Sequence, residues 1–420
     1  MKCDMRANNS NLFLFYVAFA LFGYCLIAPI AEIVSPNSEF SPITILYRMA
    51  VLGGALVFIY QMFFINRKTY IDTRGKHAFL LLLFFWFIYT CRLIFDAMFQ
   101  EHLLDDNTIS SYVTLGYFIV FIPLISLARS YNEIDLEYLF HISFYILLFG
   151  VVFTLSISAF QILNGSWEGG QRLSSERLNP ISLGRYSAVL FILGFGLMKI
   201  QHKKRLFLVT GMLIGLIGVL LSGSRGAFVS LILVLIVTIL SKASFKKILW
   251  FSLLLPLSAA MGIFLMSILV PEIDVIDNYL AMGGKDDQSA QIRYQMYNGA
   301  LEQFYNNPIF GDLIIEREYK FYPHNQVLEI LMATGIIGLL VFTTLNVFVF
   351  RKLKCLKNRN TNDESASIFL KYCVLFYIFA GMFTGTILGA LEYWYLVVII
   401  CFSSMKFSLL VNTPSKISEI

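Results

Sequence analysis

Four arginines interrupt or abut long apolar stretches of this chain: Arg48, Arg92, Arg185 and Arg225. A cation in such a place is costly to bury, so by default it points to function. A guanidinium offers a planar fork of donors that matches phosphate oxygens. Several of them at one depth would suit an anion, with a lipid-linked phosphate or diphosphate the natural candidate. Arg172, Arg177 and Arg293 lie in adjoining loops. The histidines are His77, His102, His141, His202 and His324. His324 sits in YPHNQVLEI, where an imidazole can act as a general base near neutral pH.

Each residue also has a plain structural reading. Arg92 has Asp96 four residues on, the spacing of a helical ion pair. Arg48 can snorkel to a headgroup layer. Arg185 can anchor a helix end, Arg225 can be a turn residue, and His324 a polar residue at a helix start. His102, in EHLLDD, reads as a solvated loop residue.

The elements that hold these side chains follow from composition. Of 420 residues, 58% are hydrophobic and 14% charged, far from soluble domains at roughly 45–50% and 25%. A membrane span needs about 20 mostly apolar residues. Twelve stretches qualify: about 11–33, 43–65, 77–99, 112–129, 138–163, 181–199, 206–222, 226–241, 248–270, 326–350, 367–388 and 391–411. The expected fold is an all-α polytopic membrane protein, one integral domain over 1–420. The first stretch follows Lys2 and Arg6 and is too long for a signal-peptide core, so it reads as a retained span. The seventh and eighth cannot be one helix. At 1.5 Å per residue their combined length reaches about 54 Å, beyond the bilayer. The SGSRG between them, at 222–226, must turn, and its glycines suit a turn.

Lys and Arg set the orientation. The loops near 66–76, 199–205, 242–247 and 351–359 are basic, whereas 34–42 and 100–111 hold neither residue. This positive-inside pattern puts both termini in the cytoplasm. SGSRG, 164–180 and 271–325 then face outward. Residues 271–325 are the one large loop, with nine Asp/Glu against four Lys/Arg. Within it Ser289 to Asn306 has an amphipathic helical period through Ile292, Met296, Ala300, Leu301 and Phe304, closed by Asn307-Pro308. The cysteines form no CxxC pair, so neither a disulfide framework nor a metal site is expected.

LLSGSRGAF (220–228) resembles the signature of the O-antigen ligase and polymerase superfamily. Arg293 with Tyr297 is similar to that family's R-x-x-x-W element, with tyrosine in place of tryptophan. NPIFGD (307–312), HNQVLEILMATGIIGLL (324–340) and RLNPISLGR (177–185) resemble further family segments in the same order. The motif-bearing region is about 170–340. The resemblance implies a GT-C-like glycosyltransferase architecture and transfer of a glycan from undecaprenyl diphosphate at the periplasmic face, without metal or cofactor. It implies that Arg225 and Arg293 bind the diphosphate and that His324 activates the acceptor hydroxyl. Arg48, Arg92, Arg172, Arg185, Tyr297 and Asn325 are the expected substrate-binding residues. Membrane lipids, a chain-length regulator and a flippase are the partners it allows, with no nucleic acid.

RLNPISLGR favours an O-antigen polymerase, whose acceptor is another lipid-linked repeat unit, over a ligase acting on lipid A–core. A lipid-linked oligosaccharide flippase predicts pseudo-symmetric halves and charges near the midplane, and the sequence suggests neither. A membrane acyltransferase wants a His paired with an acid, which PHNQ lacks.

Overall fold

The computed structural model describes residues 2–35, 41–65, 71–100, 104, 106–164, 177–200, 204–240, 288–357 and 363–403. The expected span at 248–270, the basic loop at 242–247, His102 and Arg172 lie outside them. The elements are α1 (Lys2–Val34), α2 (Pro42–Tyr60), α3 (Thr73–Phe99), α4 (Asp106–Val113) and α5 (Ile122–Ser126). They continue as α6 (Glu133–Leu163), α7 (Pro180–Ile200), α8 (Arg205–Leu221), α9 (Arg225–Leu240), α10 (Gln288–Asn306), α11 (Gln326–Lys357), α12 (Asp363–Gly381) and α13 (Leu391–Phe402). A π-helical stretch, Thr114–Phe121, joins α4 to α5.

The protein is an all-α polytopic membrane protein. Among the described residues seven helices are long and apolar enough to cross a membrane: Asn11–Val34, Pro42–Phe64, Thr73–Phe99, Thr108–Ser126, Asp135–Leu163, Pro180–Met198 and Gln326–Leu356. Four shorter apolar helices, Arg205–Leu221, Arg225–Thr238, Phe369–Gly381 and Leu391–Phe402, fall in the remaining expected stretches that are described. Local chemistry starts several helices. Asn132 caps α6 in a reciprocal capping box with Asp135. Asn179 Oδ1 accepts from Ser182 N at 2.8 Å, and Pro180 occupies the first turn of α7.

At the centre stands α13. Every residue from Tyr393 to Phe402 is buried, so this helix is apolar all round and is walled by other helices rather than lipid. Trp394 packs on Trp86 of α3 with ring centroids 5.7 Å apart. Around it α1 lies against α6, α3 against α11, and α7 against α8. At the basal end of the bundle Lys352 pairs with Asp72 at 2.7 Å. The opposite, distal end carries the Ser222–Ser224 turn.

Two features depart from a simple bundle. The expected span at 367–388 is not one helix: α12 stops at Gly381, and 382–390 is irregular backbone. Such backbone survives at membrane depth only when buried in protein, and its polar groups do find protein partners, given below. The other is a break in α11 at Gly335 (φ 63, ψ −160), a region open essentially to glycine alone. There the NPIFGD segment docks. Ile336 N donates to Pro308 O at 2.8 Å, and Asp312 N donates to Met332 O at 2.8 Å. The loop satisfies the groups that the break exposes.

Candidate functional site

The irregular segment 382–390 is the hub of the distal end. Arg185, in the second turn of α7, donates from Nη2 to Thr384 O at 2.7 Å. Arg293, on α10, donates from Nη1 to Phe383 O at 3.2 Å. Two guanidiniums from helices far apart in sequence thus rest on adjacent carbonyls. Both are only part-buried, and the charges of both reach Tyr322.

Arg225 arrives by a third route. The chain reverses through Ser222 and Gly223, the latter at φ 58, and Ser222 Oγ accepts from Ser224 N at 3.2 Å. Arg225 is then the first residue of α9 rather than a residue of the turn itself. A Cβ built on Gly226 would lie 2.9 Å from Phe383 Cβ, so the first turn of α9 packs directly on the hub. A Cβ on Gly184 would lie 2.8 Å from Ser222 Oγ, which sets the turn beside Arg185 as well. The N-terminus of a helix carries a partial positive charge, and it adds here to the guanidiniums of Arg185 and Arg293.

His324 lies in the loop just before α11, with φ 54. Its ring meets Tyr322 edge-on at 4.7 Å between centroids. Burial, helped by the Arg293 charge, pushes its pKa down to about 4. It is therefore neutral over the ordinary pH range. Its buried Nδ1 has no hydrogen-bond partner. Tyr322 is held above the usual phenol range by burial and then by Glu329, with Arg185 and Arg293 pulling the other way. Tyr297 is likewise raised by burial and opposed by Arg293, one helical turn away. Asn325 serves its own helix. Its Oδ1 accepts from Val327 N at 3.0 Å and Leu328 N at 3.2 Å, capping α11. The cap fixes where His324 leaves the helix.

The other arginines stand apart from the hub. Arg92 forms the ion pair with Asp96 and donates to Gly311 O at 3.3 Å. Asp96 is fully buried and also accepts from Ile314 N at 2.9 Å. Arg92 thereby fastens the NPIFGD loop to α3, which is the ion-pair reading. Arg48 is exposed on α2, where its charge and that of Arg177 reach Tyr24. Arg177 donates to Ser35 O at 2.6 Å. The run EREYK (316–320) folds back on α10: Arg317 grips Asp312 through two bonds of 2.8 Å, and Arg317 N donates to Gln303 Oε1 at 3.1 Å.

Sequence reasoning did not reach three components: the carbonyls of Phe383 and Thr384, Glu329, and Gln326. Glu329 is fully buried and binds Thr386 and Ile387 of the hub. An acid inside the apolar run QVLEILMATG was the available signal, since buried charge at membrane depth is rarely idle. The carbonyls leave no trace in side-chain pattern.

The site as built gathers positive charge and a neutral imidazole at one end of the bundle. It can hold an anion beside a proton acceptor. Residues 210–311 match a family model described as Wzy_C, O-Antigen ligase. The matched segment includes Arg225, Arg293 and most of NPIFGD, while Arg185 and His324 lie outside it. No curated protein matches the chain. The family match supports the O-antigen ligase/polymerase superfamily and implies glycosyl transfer in general terms.

Proposed function

We propose, with the O-antigen ligase/polymerase superfamily as premise, that this chain is an O-antigen polymerase of the bacterial inner membrane. It moves a glycan from undecaprenyl diphosphate to the non-reducing-end sugar of a lipid-linked repeat unit at the periplasmic face. The observation that carries the reading is the meeting of Arg185, Arg293 and the Arg225 end of α9 on residues 383–384, with His324 in reach of the Arg293 charge. Guanidiniums that rest on neutral carbonyls gain by taking a diphosphate, because hydrogen bonds to charged acceptors are about twice as strong.

In the reaction the acceptor hydroxyl oxygen attacks the anomeric carbon while the bond from that carbon to the diphosphate oxygen breaks. The electron pair leaves with the diphosphate, where Arg225 and Arg293 stabilise it. The hydroxyl proton passes to His324, whose neutral ring is ready to accept it. Arg185 holds the donor in place, and Tyr297 supplies an aromatic face beside Arg293.

Arg225→Ala, Arg293→Ala and His324→Ala are expected to abolish glycan transfer with protein levels intact, and wild-type glycan from all three would sink the assignment. The second reading, a ligase acting on lipid A–core, rests on the description of the matched family. Deletion of the gene and gel analysis of lipopolysaccharide separate the two. Core bearing one repeat unit marks a polymerase, and bare core with accumulated lipid-linked polymer marks a ligase.

A further inference from the structure

The hub is irregular backbone, yet it must present two carbonyls at a set spacing. Its anchor lies one turn deeper. Glu329, in the first turn of α11, is fully buried. Its Oε1 accepts from Tyr89 of α3 at 3.0 Å and from Thr386 Oγ1 at 2.6 Å. Its Oε2 accepts from Ile387 N at 2.9 Å. The same two residues are held by their carbonyls: Trp394 Nε1 donates to Ile387 O at 2.7 Å, and Gln326 Nε2 approaches Thr386 O at 3.5 Å. Two and three residues upstream are the carbonyls that receive Arg185 and Arg293.

We infer that Glu329 is a positioning residue, which staples residues 386–387 to α3 and α11 so that Phe383 O and Thr384 O hold the two arginines in register for the diphosphate. The inference rests on the anion-site reading above. Its chemistry calls for a carboxylate. Three donors converge on two oxygens, and an amide offers only one oxygen. In Glu329→Gln the amide N–H group either faces Ile387 N–H or is accepted by the hydroxyls of Tyr89 and Thr386, whose own protons then lose the oxygen they donate to; either way a buried donor loses its acceptor. The hub then loosens where the arginines rest. Donor binding suffers more than the chemical step, because His324 is placed by the Asn325 cap, whose bonds from Val327 N and Leu328 N do not involve the Glu329 carboxylate.

The probe is farnesyl diphosphate, titrated by calorimetry into the full-length protein in detergent. Glu329→Gln is expected to weaken its binding about tenfold, the consequence of one lost bond to a charged group. The KM for the lipid-linked donor should rise by a similar factor while kcat changes little and the acid limb of the pH profile keeps its position. Thr386→Val should show the same split, and Thr386→Ser, which keeps the hydroxyl, should restore wild-type affinity. Wild-type affinity in Thr386→Val, or in a well-folded Glu329→Gln, overturns the inference. So does a loss confined to kcat. Should Glu329→Gln fail to fold, the threonine pair decides by itself. Arg225→Ala and Arg293→Ala separate the two levels. If they bind the probe as wild type does, the anion-site reading fails. If they lose it while the Glu329 and Thr386 variants keep it, only the positioning role fails.

Discussion

The pH profile of transfer tests the assignment of His324 most directly. An ordinary histidine, with a pKa of about 6.5, would be only about 9% neutral at pH 5.5. His324 is buried beside Arg293, and its pKa of about 4 leaves it about 97% neutral at the same pH. Only the neutral ring can take the hydroxyl proton, so protonation inactivates, and a lowered pKa moves that loss to more acid conditions. Between pH 7.5 and 5.5 the value of kcat/KM, which reports the free enzyme, should therefore hardly change, with its acid limb near 4. A solvated histidine would instead cost about tenfold. The bound diphosphate adds a further effect. Its negative charge offsets Arg293, so the ring becomes more basic in the complex, and the acid limb of kcat should lie above that of kcat/KM. Initial rates on a synthetic lipid-linked repeat unit, with the protein in nanodiscs, would give both limbs. A tenfold fall in kcat/KM by pH 5.5, or a kcat limb below the kcat/KM limb, would refute the reasoning.

Three further outcomes follow from the packing. Gly335→Ala should be poorly tolerated, since its Cβ would lie 2.4 Å from Ile309 O at a backbone conformation that side chains avoid. Strain of about 1–3 kcal/mol would appear as a lower Tm in detergent and reduced accumulation in membranes. Asp96→Ala leaves Arg92 and Ile314 N without their shared acceptor, a loss of about 3–5 kcal/mol, and Asp96→Asn should recover part of the Tm. Arg317→Ala should cost about 1 kcal/mol or less, because the Arg317 side chain is 48% exposed. Its glycan profile should match wild type, and a complete loss of transfer would show that EREYK reaches the substrate.

The helices were legible from the chain alone, because the properties that make them are local. Apolar runs of the right length, and small residues where a helix too long for the bilayer had to turn, are statements about neighbours in sequence. The amphipathic helix expected from Ser289 is found as Gln288–Asn306 for the same reason. Where each arginine stands along its helix could also be counted this way. What that position could not tell was which arginines share a site. Arg92 and Arg185 look alike in sequence, but the first is held by Asp96 and Gly311 and the second by Thr384 O. Asn325, expected on substrate, caps its own helix. The hub at 382–390 was hidden inside an apolar run, because hydropathy records side chains and not the hydrogen-bond partners of the backbone. Those partners are Glu329, Arg185 and Arg293, 58, 199 and 90 residues away along the chain. Sequence determined where the membrane helices lie and which charges reach their ends. Only tertiary contacts, through bonds between residues far apart in the chain, decided which of those charges face one another.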